Sequence, residues 1–267
     1  MTDTLTLPPL HATLASGAQI PLLGFGTWQL EDATAVEATR TALDLGYRHL
    51  DTATVYGNEE QVGTALRERG VPRGDVFVTT KIPPDAAAAA QATLQSSLRL
   101  LGTDHVDLWL IHWTDGSAHV DLWRELARAQ SDGLAHDIGV SNYSLAQIDE
   151  VTEATGVRPA VNQISWSPFR YDAELLEGHR RRGIVVEGYS GLKRGTMDHA
   201  VVQEIAARVG RTPAQVLIRW QLQHGVVVIP KSTNPERIRQ NADVADLVLL
   251  HDDMAALDGL AGTQKRD

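Results

Sequence analysis

Short apolar runs rich in Val, Ile and Leu recur along this chain, and between them apolar residues return every three or four positions. The runs lie at 22–26 (LLGFG), 48–52 (RHLDT), 76–81 (VFVTTK), 106–112 (VDLWLIH), 136–141 (HDIGVS), 159–165 (PAVNQIS), 183–190 (GIVVEGYS) and 225–232 (GVVVIPKS). The intervening segments, such as ATAVEATRTALDLG, AAAAAQATLQSSLRLLG and TPAQVLIRWQLQHG, carry a helical period. Run and helix alternate eight times, which predicts an α/β chain folded as a parallel eight-stranded (β/α)8 TIM barrel. No linker interrupts the pattern, so residues 1–267 are expected to form one domain. Before the first run, 4–7 and 11–14 with a Gly-containing turn predict a hairpin capping the barrel bottom.

Barrels of this kind carry their chemistry at the carboxyl ends of the strands. Asp51, Lys81, His112, Ser141, Gln163, Tyr189 and Lys231 all end strands here, and Tyr56 follows Asp51 by five residues. A phenol beside a carboxylate is a poor proton donor unless a cation lies between them, and Lys81 is the candidate. Releasing a phenol proton at pH 7 costs about 4 kcal/mol. An ammonium about 4 Å away, at an effective dielectric near 20, returns about the same. Asp51 would keep a buried Lys81 charged, and His112 would orient a carbonyl oxygen or share the proton. Asp51, Tyr56, Lys81 and His112 thus form a site able to protonate an oxygen.

A candidate anion-binding feature lies nearer the C-terminus. In 225–241 (GVVVIPKSTNPERIRQN), Asn234 is placed to cap a helix, with Pro235 at its first position and Glu236 in its first turn. Lys231, Ser232 and Arg237 surround that N-terminus, and two cations there fit a phosphomonoester better than a ribose hydroxyl. No GxGxxG follows a strand, which excludes the usual dinucleotide fold.

Composition narrows the classes. The 34 acidic and 24 basic residues give a formal charge of −10, which argues against nucleic acid. There is no cysteine for disulfides, thiolate chemistry or Cys-bound metal, and no other metal is expected. No apolar run approaches the roughly 20 residues of a membrane helix. The first residues lack a basic end followed by an apolar block, so a cytoplasmic protein is expected. With no second apolar helix face evident, a monomer is expected.

The segments GTWQL, GYRHLDTATVYGNE, TTK, LIHW, IGVSN, VNQISW, GYSGL and IPKSTNPERIRQN together resemble the aldo-keto reductases over nearly the whole chain. The resemblance implies NADPH-dependent reduction of a small-molecule aldehyde or ketone, with Tyr56 as proton donor within the Asp51/Tyr56/Lys81/His112 tetrad. It further implies that Ser141, Asn142 and Gln163 bind the nicotinamide carboxamide, and that Tyr189 stacks on its ring. Ser190, Leu192 and Lys193 would line the pyrophosphate. Lys231, Ser232 and Arg237 would hold the 2′-phosphate, with Gln240 and Asn241 near adenine. Trp28, Val55 and Trp113 would face the substrate. The chain departs from the family pattern at Gln240, where many relatives have Glu, and at Thr114, where Pro often follows the His-Trp pair. Tyr143 stands where Phe is more frequent. Gly191 replaces the usual Pro, and a looser phosphate-covering segment is expected there.

Only 28 residues separate His112 from Ser141, and about 26 follow Asn241, with a helix expected around 252–260. In larger relatives these segments wall the substrate pocket, so an open, shallow pocket and broad substrate range are expected. Trp109, Trp123 and Trp220 read as core, and Trp166 as either core or pocket. Two other readings compete. One is a subunit that binds NADPH and regulates a partner, against which the intact tetrad argues. The other is a sugar-phosphate barrel enzyme, which has no evident use for Asn142, Gln163 and Tyr189.

Overall fold

The computed structural model describes residues 11–117 and 119–263, the side chain of Arg194 aside. Strands β1 (His11–Thr13) and β2 (Gln19–Pro21) form an antiparallel hairpin. Eight parallel strands follow: β3 (Phe25–Gly26), β4 (His49–Asp51), β5 (Phe77–Ile82), β6 (Val106–Ile111), β7 (Ala135–Ser141), β8 (Val161–Ser165), β9 (Val185–Tyr189) and β10 (Val227–Val228). Each pairs with the next in sequence order. The ends meet where Leu23 bridges Val228, Val228 N–H donates to Leu22 O at 2.8 Å, and Gly24 N–H donates to Val228 O at 2.9 Å. Closure brings backbones so near that a Cβ on Gly26 would lie 2.7 Å from Ile229 O, which explains glycine there. The chain is a (β/α)8 barrel with an N-terminal hairpin, as its periodicity predicts.

The hairpin partners differ from the expectation. Residues 11–13 pair with 19–21 across a turn holding Gly17, while 4–7 lie outside the described residues. Leu14 and Ile20 pack with Leu108, Leu110, Val161 and Val227, and Ser16 Oγ donates to Asp137 Oδ2 at 2.7 Å near the start of β7. The hairpin therefore caps the amino-terminal end of the strands, opposite the chemistry.

Between strands and helices, Val78, Ile82, Trp109, Ile111 and Val140 pack against Leu43, Leu94, Leu98, Trp123 and Leu126. Each such side chain contributes about 1.5–3 kcal/mol by leaving water. Trp109, Trp123 and Trp220 are fully buried, as expected. Trp166 joins them: it is 1% exposed and lies parallel to Trp220 at 6.3 Å between ring centres. The helix Pro213–Gln223 begins with a capping box between Thr212 and Gln215. The alanine run reads less simply, because a 3-10 turn at Ala87–Ala89 precedes the helix Ala90–Leu101.

The C-terminal helix His251–Asp258 packs, through Leu257, into the cluster of Trp166, Val216 and Leu217. The loop after His112 is held down by Gln147, whose Nε2 donates to Thr114 Oγ1 and Ser117 O, each at 3.0 Å. Among the described residues, no helix is long and apolar enough to cross a membrane.

Candidate active site

Asp51 ends β4, where Thr27 N–H donates to its carbonyl at 3.0 Å. A single 3-10 turn, Thr54–Tyr56, follows and is ended by Gly57 at φ 67°. The helix Glu59–Arg69 then begins. Asn58, however, caps it with no side-chain hydrogen bond. Its buried amide donates to Thr27 O at 2.8 Å and Leu30 O at 2.9 Å, and accepts from Thr52 Oγ1 at 2.8 Å. Asn58 thereby ties the loop bearing Trp28 to the loop bearing Tyr56, a role its place at a helix start did not reveal.

Alternation along β5 decides the next contacts. Thr80 points outward and donates to Glu59 Oε1 at 2.6 Å, whereas Lys81 points into the barrel. Lys81 Nζ donates to Asp51 Oδ1 at 2.7 Å, Thr52 O at 2.9 Å and the Tyr56 hydroxyl at 3.3 Å. The hydroxyl also lies 3.4 Å from His112 Nε2. Those four side chains, three of them at strand ends and Tyr56 on the turn after Asp51, form one continuous line of contacts from Asp51 through Lys81 and Tyr56 to His112.

Burial alone would push Lys81 down, but Asp51 and Tyr56 reverse that and hold the ammonium well above its usual range. His112 is lowered to about 4, first by burial and then by the charge of Lys81, so its imidazole is neutral. Tyr56 departs from the expectation. Its phenol lies above the ordinary value, because burial outweighs the pull of Lys81 and Asp51 adds to the rise. The resting site holds a protonated phenol, a neutral imidazole and a charged ammonium.

The opposite wall is a chain of hydrogen bonds. Tyr189 OH donates to Asn142 Oδ1 at 2.8 Å, Asn142 Nδ2 to Ser141 Oγ at 2.9 Å, and Ser141 Oγ to Gln163 O at 2.9 Å. Gln163 Nε2 donates to Asp51 Oδ2 at 2.8 Å, which joins this wall to the four-residue cluster. Between the walls lies a cavity of about 850 Å³, lined by Trp28, Val55, Tyr56, His112, Trp113, Ser141, Asn142, Gln163, Tyr189, Ser190, Leu192, Lys193 and Lys231. Gln29, Pro83, Pro84 and Gly191 also line it. Among the described residues, five other than glycine have left-handed φ; Gln29 (59°), Asn142 (62°) and Ser190 (59°) are three of them, all on this cavity. Trp28, Val55 and Trp113 are 54%, 56% and 53% exposed, and no described residue beyond Lys231 lines the cavity. The mouth is open and apolar.

Gly191 is packed rather than loose: a Cβ there would come within 2.6 Å of Gln221 Nε2 and 3.1 Å of Trp166 O. Ser232, Arg237, Gln240 and Asn241 lie off the cavity, on the loop and helix that follow Lys231. Asn234 caps that helix, Pro235–Ala242, by accepting from Arg237 N at 3.1 Å. Gln240 Nε2 donates to Glu236 Oε1 at 3.0 Å, and Asn241 is buried on the helix face that carries Ile238.

Two residues of the lumen escaped the sequence reading. Glu187 and His49 are fully buried below the cluster, with His49 Nε2 3.9 Å from Glu187 Oε1. A charged residue inside an otherwise apolar run (VVEGY) was the available signal.

The chain is similar to known proteins along nearly its whole length. Residues 22–261 match the model of the Aldo/keto reductase family. An aldo-keto reductase of Mycolicibacterium vanbaalenii is 45% identical over 100% of this chain and 97% of its own. A protein of Yersinia pestis named methylglyoxal reductase is 38% identical over 95% and 93%. The crystal structure of an aldo/keto reductase from Brucella melitensis superposes with a TM-score of 0.90 at 38% identity, covering 96% of this chain and all of that one. By its match to the family model and its full-length likeness to these proteins, the chain belongs to the aldo-keto reductase family.

Proposed function

We propose that this protein reduces small aldehydes and ketones, α-dicarbonyls among them, with NADPH, and that Tyr56 delivers the proton. The observation that carries this reading is Lys81 Nζ held between Asp51 Oδ1 at 2.7 Å and the Tyr56 hydroxyl at 3.3 Å, at the floor of an open apolar cavity. A carbonyl oxygen seated between the Tyr56 hydroxyl and His112 Nε2 meets a donor on one side and a neutral imidazole on the other.

The cavity wall fits a nicotinamide nucleotide. Tyr189 offers a half-buried ring whose hydroxyl is pinned by Asn142, a flat surface for a heteroaromatic ring. Ser141, Asn142 and Gln163 supply side-chain donors and acceptors for a carboxamide beside it. Ser190, Leu192 and Lys193 would hold the diphosphate, and Lys231, Ser232 and Arg237 the 2′-phosphate, which favours NADPH over NADH. Gln240 and Asn241 would flank adenine. When bound, NADPH supplies hydride to the carbonyl carbon. The charge that then builds on the carbonyl oxygen lies beside Tyr56 and the fully buried Lys81, a fixed cation that stabilises it. An alkoxide is more basic than a phenolate, so Tyr56 gives up its proton downhill even with its pKa raised. Asp51 and Thr52 O hold Lys81 in place throughout.

Tyr56→Phe keeps the ring and removes the proton. We expect it to abolish NADPH oxidation with methylglyoxal and with aromatic aldehydes, a loss of at least about 10³-fold. NADPH affinity, read from nicotinamide fluorescence, should stay within about twofold. Turnover close to wild type would refute the assignment of Tyr56. The exposure of Trp28, Val55 and Trp113 supports weak binding of many carbonyl compounds. Micromolar KM for one bulky ketone, with rejection of small aldehydes, would contradict that breadth.

A further inference from the structure

At the other end of the barrel, His105, Asp107 and His136 converge where β6 and β7 begin. Each offers a ligand atom, and these atoms all lie within 4.8 Å of one another. The residues come together because β6 and β7 pair in parallel register, Val106 with Ala135 and Leu108 with Asp137, which sets Asp107 beside His136. The two imidazole rings stack at 4.1 Å between centres, 21° apart in plane.

The surroundings of this trio are ordered as those of metal ligands are. His105 Nδ1 lies 2.7 Å from Asp104 Oδ1; a proton on Nδ1 donated to that carboxylate leaves Nε2 with the free lone pair. Asp107 uses one oxygen to hold its own orientation: Oδ2 accepts from Arg73 Nη2 at 2.7 Å and from Val78 N at 2.8 Å. Its other oxygen, Oδ1, faces His136 Nδ1 at 3.8 Å, too long for a hydrogen bond. His105 and Asp107 are half-buried and fixed, while His136 is exposed and can turn. Ligands of a tetrahedral zinc ion, at about 2.0–2.2 Å from the metal, sit roughly 3.4 Å apart. Closing from at most 4.8 Å to that spacing takes up to about 1.4 Å, together with a tilt of the exposed His136 ring out of its stack on His105 so that both in-plane lone pairs aim at one point.

We propose that His105, Asp107 and His136 bind a late first-row divalent cation such as Zn²⁺, with water completing the tetrahedron on the solvent side. Two imidazoles and one carboxylate are a ligand set for Zn²⁺, Ni²⁺ or Cu²⁺ rather than Mg²⁺ or Ca²⁺. The site takes no part in carbonyl reduction. The six residues of β6 separate it from His112, about 20 Å along the strand. Its effect is a cross-link between β6 and β7 at the base of the barrel.

The test is a calorimetric titration of the untagged protein with Zn²⁺, repeated with Co²⁺ while following its visible absorption. One saturable equivalent is expected, with the intense band of tetrahedral Co²⁺. His136→Ala removes an exposed side chain, so the fold should persist, and we expect affinity to fall at least tenfold and the band to vanish. Asp104→Asn keeps all three ligands but weakens their support, and a loss of about tenfold is expected. Saturating Zn²⁺ should raise the melting temperature of the wild type but not of His136→Ala. No saturable uptake by the wild type, or equal uptake by His136→Ala, overturns the proposal. Turnover of NADPH should be the same in both proteins, so failure here leaves the reductase reading untouched.

Discussion

Two acid–base pairs lie buried in the lumen of the same barrel, and they come to opposite electrostatic outcomes. Asp51 and Lys81 touch at 2.7 Å, and Lys81 makes two further hydrogen bonds, to Thr52 O and Tyr56. Gln163 satisfies the second oxygen of Asp51. His49 and Glu187 are just as deeply buried, but lie 3.9 Å apart. Burial pushes His49 down to about 4, and burial together with the charge of Asp51 pushes Glu187 up to about 8. One pair stays ionised and the other is driven neutral. Depth alone does not decide; the charge each group meets does, since Lys81 touches the opposite charge of Asp51 whereas Glu187 feels the like charge of Asp51.

Breaking the first pair should have the largest effect. Lys81→Met leaves Asp51 buried without its cation and Tyr56 without its neighbour. Turnover should drop roughly 10³-fold or more, and unfolding in urea at pH 7 should show a loss of about 3–5 kcal/mol. Unchanged stability would mean that Asp51 and Lys81 are not the ionised pair inferred above.

Asp51→Asn should cost less, roughly 10² in turnover at pH 7. Without the carboxylate, burial drives Lys81 toward its neutral form, so activity should recover as pH falls and the ammonium returns. A rate that instead climbs with pH would contradict the role given to the charge.

The second pair is read through stability. Glu187 in the fold, at about 8, sits above the unfolded value of about 4.3. The folded state therefore binds the extra proton between those values, and stability falls as pH rises through that window. Glu187→Gln should flatten the slope while leaving turnover nearly unchanged; an unaltered slope would show that Glu187 is ionised in the fold. The smallest effect belongs to His49→Gln. His49 titrates at about 4 in the fold against about 6.5 unfolded, so its contribution is present above about 6.5 and lost as pH falls toward 4. The variant should keep more of its stability at pH 5 than the wild type, measured by thermal melts across that range.

The contrast also marks how far the sequence could be read. Asp51, Lys81 and His112 each close an apolar run, and Tyr56 stands at a fixed short distance from one of them. Strand ends in a parallel barrel face one mouth, so their meeting was legible from periodicity. His49 and Glu187 sit within their runs, where period 2 shows only that a residue faces in or out. Whether two inward residues meet depends on strands far apart in sequence. The raised pKa of Tyr56 was likewise out of reach, since it follows from how much water the closed lumen excludes.

The order of the elements, the barrel class and the identity of the four clustered residues were thus encoded in local pattern, because periodicity and turn chemistry act over a few residues. Folding in three dimensions settled the rest: the partner of the hairpin strand 11–13, the burial of Trp166, the Asn58 clamp between two loops, the tight seat of Gly191 and the ionisation of each lumen pair. Those outcomes depend on ångström-scale distances between residues tens to more than a hundred positions apart, set only once Leu22–Gly24 meets Val228 and the cylinder closes.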